Sequence, residues 1–359
     1  MNVKIILLVS VLITFSGMSV IAFDDVSDGA DPADAITDGT GDAEPVKYIA
    51  ALGYAPALTV AMVGEIDKII AVTTYSTYEY TKDERLKDLH AKDVGSIYSA
   101  INNDYVLTWL LQWAEANNVD KNDIGIILTG YPNAIVLGNV LSSFGFNNVL
   151  AYNNITEWDD IIDCVKKISI MATGEISSVV EDMELVKATI DKGLEGITEK
   201  RKGLAVWYST ANGEYQVNNT GSISVSLIEA AGGINIAYNP SISGQRYGDV
   251  TTVIQMAEAN PDMVIFIANQ SVSNFRSAAL PQNSDVTVIA VNPNWNNYAP
   301  DAAEGLWAFA SALYPDLFEG DVQIIDDEQS NPDLLLYAAA GIMVTMVIIG
   351  LAYFFMRKP

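Results

Sequence analysis

The stretch that most constrains this chain runs from Gly174 to Arg201, where apolar residues recur at Ile176, Val179, Val180, Met183, Val186, Ile190, Leu194 and Ile197. Steps of three and four place them on one face of a helix. Glu175, Glu181 and Asp182 lead the run, and Lys200, Arg201 and Lys202 close it, an order that complements the helix dipole. Gly193 and Gly196 weaken the last turns. At about 1.5 Å per residue such a helix spans roughly 40 Å, the width of a domain. Periodicity alone leaves two readings open, a strut between two lobes and a surface helix within one large domain. Segments of αβ type and similar size lie on both sides, and they favour the strut.

With 359 residues the chain can hold two domains, each with its own core. A net charge of −26 repels phosphate backbones and argues against nucleic acid as a partner. The single cysteine, Cys164, excludes an internal disulfide framework and a cysteine-rich metal site. The single histidine, His90, lies in a polar run and reads as a surface residue, leaving no imidazole pair for zinc. No resident cofactor or metal is expected, and the protein is expected to be a monomer.

Residues 1–22 read as a secretory signal peptide, with Lys4 ahead of the apolar run Ile5 to Ile13 and cleavage after Ala22. Residues 23–45 form an acidic linker without a basic residue, and residues 319–333 form a second. Leu334 to Met356 carries no charge and is long enough for a transmembrane helix; Arg357 and Lys358 follow it in the tail 357–359. By the positive-inside rule the tail is cytoplasmic and the body extracellular.

Between these ends the expected fold is α/β: two lobes with mainly parallel central sheets joined by one long helix. The first lobe spans 46–173, the connecting helix 174–202 and the second lobe 203–318. Strands are expected at 46–52, 66–72, 123–128 and 148–152, then at 202–209, 262–267 and 286–291, with helices between them. Thr156 is a candidate cap for the helix before the strut.

Ligands of open α/β sheets bind beyond the carboxyl ends of the strands. Those ends carry Tyr54, Tyr75, Tyr78, Tyr98 and Tyr131 in the first lobe, and Tyr208, Tyr215, Arg246, Tyr247, Asn269 and Trp295 in the second. A tyrosine offers a rigid ring and a hydroxyl, which suits a bulky ligand with polar edges. For any single tyrosine, half-buried packing is the competing reading. Asn154, Asn218 and Asn269 each begin a glycosylation sequon.

The chain resembles the solute-binding proteins of ABC importers for iron-siderophores, haem and cobalamin, whose two α/β lobes are joined by one long helix. The resemblance covers roughly Lys47 to Pro315. In the first lobe it rests on Ala55-Pro56, Gly64, Lys68 to Val72 and Val94-Gly95-Ser96. In the second it rests on Thr220-Gly221-Ser222, Leu227 to Asn235, Ala259 to Ile265, and Ala299-Pro300 with Asp301 to Leu306. It implies a binding protein rather than an enzyme. A bulky metal chelate would sit between the lobes and be delivered to a permease driven by ATPases inside the cell. Asp104 and Asp249 match most nearly the acids that meet permease arginines in that family, which usually carries glutamate there. For both, helix capping is the competing role. A C-terminal membrane helix in place of a lipid anchor fits a cell without a periplasm, such as an archaeon.

With Arg246 as the one obvious base at a second-lobe strand end, a strongly anionic chelate is less favoured than a corrinoid or a near-neutral ferric hydroxamate, with haem behind both. The alternative is an extracellular interaction or envelope protein that reuses the fold without transport. No glycine-rich phosphate loop, nucleophile elbow or histidine pair points to an enzyme.

Overall fold

The computed structural model describes residues 44–318 apart from 98–99, 130–133, 153–154, 156, 243 and 282–283. The signal peptide, the transmembrane helix and nearly all of both linkers lie outside the described residues. So do Tyr98, Tyr131, Asn154 and the cap reading of Thr156. Among the described residues no helix is long and apolar enough to cross a membrane.

The first lobe is built on β1 (Tyr48–Leu52), β2 (Ile69–Val72), β3 (Lys92–Asp93), β4 (Ile124–Thr129) and β5 (Asn148–Tyr152), in the order β3-β2-β1-β4-β5. Every pairing is parallel. All six residues of β4 are buried, which is why its sequence is a continuous apolar run rather than an alternating one. Helices α1 (Tyr54–Met62), α2 (Tyr78–Thr81), α3 (Ala100–Asn117), α4 (Ala134–Ser143) and α5 (Trp158–Thr173) connect the strands. Glu157 caps α5 and forms a reciprocal capping box with Asp160.

The connecting element is α6 (Ser178–Gly193), 16 residues long and so about 24 Å, shorter than the expected strut. Two local causes set its ends. Gly174 turns left-handed at φ 83° and terminates α5, and Ser177 then caps α6. At the far end the helix stops at Gly193, where an added Cβ would lie 2.6 Å from the Phe318 ring.

The second lobe holds β6 (Lys202–Ser209), β7 (Glu214–Asn218), α7 (Ile223–Ala230), β8 (Ile234–Asn235), β9 (Arg246–Tyr247), α8 (Val250–Ala259), β10 (Val264–Ala268), α9 (Val272–Ala279), β11 (Thr287–Val291) and α10 (Ala302–Leu313). Its sheet runs β11-β10-β6-β7-β9, with β8 pairing β6. The sheet is mainly parallel, as expected: β11, β10, β6 and β8 pair in parallel. β7 runs antiparallel to both β6 and β9, because the short turn around Gly213, at φ 72°, folds the chain straight back as a hairpin.

One hydrophobic core runs through both lobes. It joins Ile49, Val72 and Leu150 of the first sheet and Ile161 and Ile168 of α5 to Val180 and Ile190 of α6, Leu227 of α7, Phe266 of β10, and Leu306 and Phe309 of α10. Separate clusters fill the outer face of each sheet.

Both ends of the described body sit at the amino ends of the strands. Val46 and Lys47 donate their amides to Met171 and Asp123 just ahead of β1. Tyr314, one turn before Phe318, receives the amide of Arg201 at the start of β6 and donates its hydroxyl to Gly232.

Candidate binding cleft

The carboxyl ends of the two sheets meet across the lobe boundary. Tyr54 follows β1 directly, and Asn294 lies in the 3-10 turn Pro293–Trp295 after β11. The Tyr54 hydroxyl is 2.8 Å from Asp83 Oδ2 and 3.3 Å from Asn294 Oδ1. A phenol has one proton to donate, and the shorter contact gives it to the carboxylate. Around this point Ala55 and Leu58 of α1 pack on Ala299, with Tyr54, Met62 and Tyr298 against them.

Arg85 completes the junction. Its Nη1 and Nη2 donate to Asp301 Oδ1 and Oδ2 at 2.6 and 2.7 Å. Its Nε and Nη2 donate to Asp83 Oδ1 and Oδ2 at 2.9 and 2.7 Å. The Asp83 side chain is 7% exposed and that of Asp301 is 4% exposed, so each acid depends on this base to remain charged out of water. Asp83 and Arg85 belong to the first lobe, whereas Asp301 heads α10 in the second. Together they form an ionic latch between the lobes.

Burial raises the Tyr54 phenol, and its carboxylate acceptor Asp83 raises it further. Burial also pushes Asp83 upward, but hydrogen bonds from Arg85 and Tyr54 outweigh it and hold the carboxyl below its ordinary value. An acid held low in the fold contributes stability above its unfolded pKa of about 3.9 and loses it as pH falls through the lower folded value. The melting-temperature gap between wild type and Arg85→Met should therefore be level from about pH 5 to 8 and narrow below about pH 4. A gap that stays constant down to pH 3 would contradict a charged latch.

The second-lobe rim is aromatic. Trp207, near the carboxyl end of β6, pairs with Ala268 on β10. The Arg246 guanidinium lies over the Trp207 ring at 4.1 Å. Trp295 packs on α10 at Gly305, where an added Cβ would come within 2.6 Å of the Trp295 Cβ. Asn269 turns left-handed at φ 65° after β10 and brings its amide 3.5 Å from the Tyr208 carbonyl. In the first lobe, the half-buried Tyr75 meets Tyr80 edge-on at 5.0 Å, and the Tyr78 hydroxyl donates to Glu84 at 2.7 Å.

Several sequence-based candidates fall elsewhere. Tyr215 is 7% exposed and packs between Tyr208 and Phe275 in the outer core. Tyr247 joins the same cluster and donates its hydroxyl to the Ala237 carbonyl at 2.7 Å. These two tyrosines are packing residues, because alternation along β7 and β9 turns them away from the Trp207 face. Asn218 is 2% exposed and accepts from Arg246 Nε at 3.1 Å, so the folded chain does not present it for glycosylation; Asn269 is exposed. Asp104 is exposed on α3, and Asp249 is exposed and caps α8 through a box with Thr252. Sequence reasoning missed the roles of Asp83, Arg85, Asp301 and Asn294, whereas Trp207, near the end of its strand, is expected close to the cleft from the sequence. Among the described residues no cluster of His, Cys, Asp and Glu could hold a metal ion.

No family model and no curated protein matches this sequence. Solved structures do match its fold. Helicobacter pylori CeuE, crystallised as a Ni-His complex, shares 17% identity over 78% of this chain and 86% of its own, with a TM-score of 0.55. The periplasmic vitamin B12 binding protein BtuF of Vibrio cholerae shares 18% identity over 76% of this chain and 98% of its own, at 0.53. The periplasmic haem binding protein HutB of the same organism shares 16% identity over 75% and 99%, at 0.51. The chain thus has the two-lobed α/β fold of these periplasmic binding proteins.

Proposed function

We propose that this chain, which has the fold of two-lobed solute-binding proteins, captures a bulky metal chelate between its lobes and hands it to an ABC importer. The observation that carries the reading is the junction itself. Loops from the carboxyl ends of both sheets converge on the Tyr54–Asn294 contact, with Tyr75, Trp207, Asn269 and Trp295 on the surrounding strand ends, whereas the Tyr208 ring packs with Tyr215 in the outer cluster. Rigid aromatic edges with scattered amides suit a large ligand that is apolar in body and polar at its margin. The similarity in fold to vitamin B12 and haem binding proteins supports the same class of solute. A corrinoid or ferric siderophore is the preferred ligand, and haem comes after them.

In this reading the body is extracellular and held by a membrane helix at Leu334 to Met356, and the exposed acids Asp104 and Asp249 face the permease. Tryptophan fluorescence of the purified full chain, titrated with cobalamin, haem and a ferric hydroxamate, tests the assignment. Saturable quenching by one of the three is the expected result, reported by Trp207 and Trp295. Flat traces for all three would reject chelate capture and favour an interaction protein that reuses the fold.

A further inference from the structure

Arg246 is anomalous in this chain. Acids outnumber bases 45 to 19 in the sequence, yet this half-buried guanidinium has no carboxylate within ion-pair reach among the described residues. Arg85 shows what the protein does with a base that serves the fold, meeting two buried acids at once. Arg246 instead spends only Nε, on Asn218 at 3.1 Å. Its Nη1 and Nη2 meet no acceptor among the described residues. Burial alone pulls it below its usual value, with no acid offsetting the loss. A partly desolvated cation without a counter-charge is costly unless something outside the protein supplies one.

The base is also held in place. The Trp207 ring beneath it, at 4.1 Å, and the Asn218 oxygen fix the guanidinium plane, so little side-chain freedom remains to be lost when a partner binds. Trp207 and Asn218 project from the same face of the sheet as Arg246, because β6, β7 and β9 pair in register: Trp207 opposite Gln216, and Asn218 opposite Arg246. Trp207 stands beside Ala268, the last residue of β10, so this face ends at the rim of the cleft.

We propose that Arg246, seated on Trp207, is the anion subsite of the cleft and that the captured solute carries one carboxylate or phosphate group for it. Two free Nη donors in one plane match the two oxygens of either group. This rests on the cleft being the binding site and adds a charge requirement to the near-neutral chelate favoured above: one oxyanion at the edge of an otherwise uncharged body.

The test compares the full chain with its Arg246→Gln and Arg246→Lys variants by tryptophan fluorescence. The probes are haem for the carboxylate, cobalamin for the phosphate, a neutral ferric hydroxamate as control, and benzoate and inorganic phosphate as minimal anions. The expected result is that haem or cobalamin, and the minimal anion of the same class, bind at least tenfold more weakly to Arg246→Gln. Arg246→Lys should retain part of the affinity, and the neutral hydroxamate should not distinguish the variants. Which of haem and cobalamin responds identifies the source of the oxyanion. Chelate binding that is equal in wild type and Arg246→Gln would overturn the subsite while leaving chelate capture intact. Anion binding at Arg246 without chelate binding would keep the subsite and remove chelate capture. A wild-type chain that answers none of the anionic probes overturns the proposal.

Discussion

Arg85→Met should cost about 2–3 kcal/mol of stability. A fully buried base taken from between two acids leaves them uncompensated at about 3–5 kcal/mol. The Arg85 side chain is 36% exposed, and solvent screening brings the figure to the lower range. For a body of this size that corresponds to a melting-point fall of roughly 4–12 °C. Asp301→Asn should cost less, because the neutral amide needs no counter-charge and Arg85 keeps its bonds to Asp83. Thermal unfolding followed by circular dichroism reads both. Equal losses would mean that the latch acts by packing rather than by charge. A change confined to one lobe's tryptophans would mean that it does not bridge the lobes.

Phe309→Ala is expected to be more damaging, at about 3–5 kcal/mol, the usual loss for a buried phenylalanine that leaves a cavity. Phe309 is fully buried and stacks on Phe266 with ring centroids 3.8 Å apart, where α10 covers β10. Because this pair belongs to the core that also holds Ile49 and Leu150 of the first lobe, the damage should not stay local. Scanning calorimetry should show one transition in wild type and one, at lower temperature, in the variant. Two transitions, of which only one moves, would show that the lobes unfold independently despite the shared core.

Much of the fold is legible in the sequence because it depends on short-range patterns. Lys202 to Ser209 reads as a strand and forms β6 over the same residues, and Asn148 to Tyr152 does so for β5. The connecting helix is only partly legible. Its apolar spacing continues to Leu194 and Ile197, but helix ends depend on caps and on tertiary neighbours such as Phe318 against Gly193. The alternation Glu214 exposed, Tyr215 buried, Gln216 intermediate, Val217 buried marks a strand with Tyr215 turned inward. Read as a strand rather than as the far side of a turn, those residues identify Tyr215 as core.

The latch lies beyond any local pattern. Arg85 and Asp301 are separated by 216 positions, and nothing in the run around either residue marks it as half of a pair. The position of Trp207 near the cleft is legible from the end of its strand, but its pairing with Arg246 is not. In a strand whose other residues read as core, that pairing appears only when the hairpin at Gly213 lays β7 and then β9 alongside and brings Arg246 across to Trp207. Long-range register, which no single window contains, therefore decides which of the strand-end residues can share a ligand.

The placement of the two ends of the described body would decide how it sits if it were held on a tether. Val46 and Phe318 both lie at the amino ends of the strands, whereas Tyr54, Trp207 and Asn269 occupy the opposite, carboxyl ends. A stalk attached at either end would hold the molecule from behind, leaving its mouth unobstructed and pointing away from the surface to which the stalk is fixed. Delivery to anything embedded in that surface would then require the whole body to tip over on its stalk, and the length of the flanking chain would set how far it can lean.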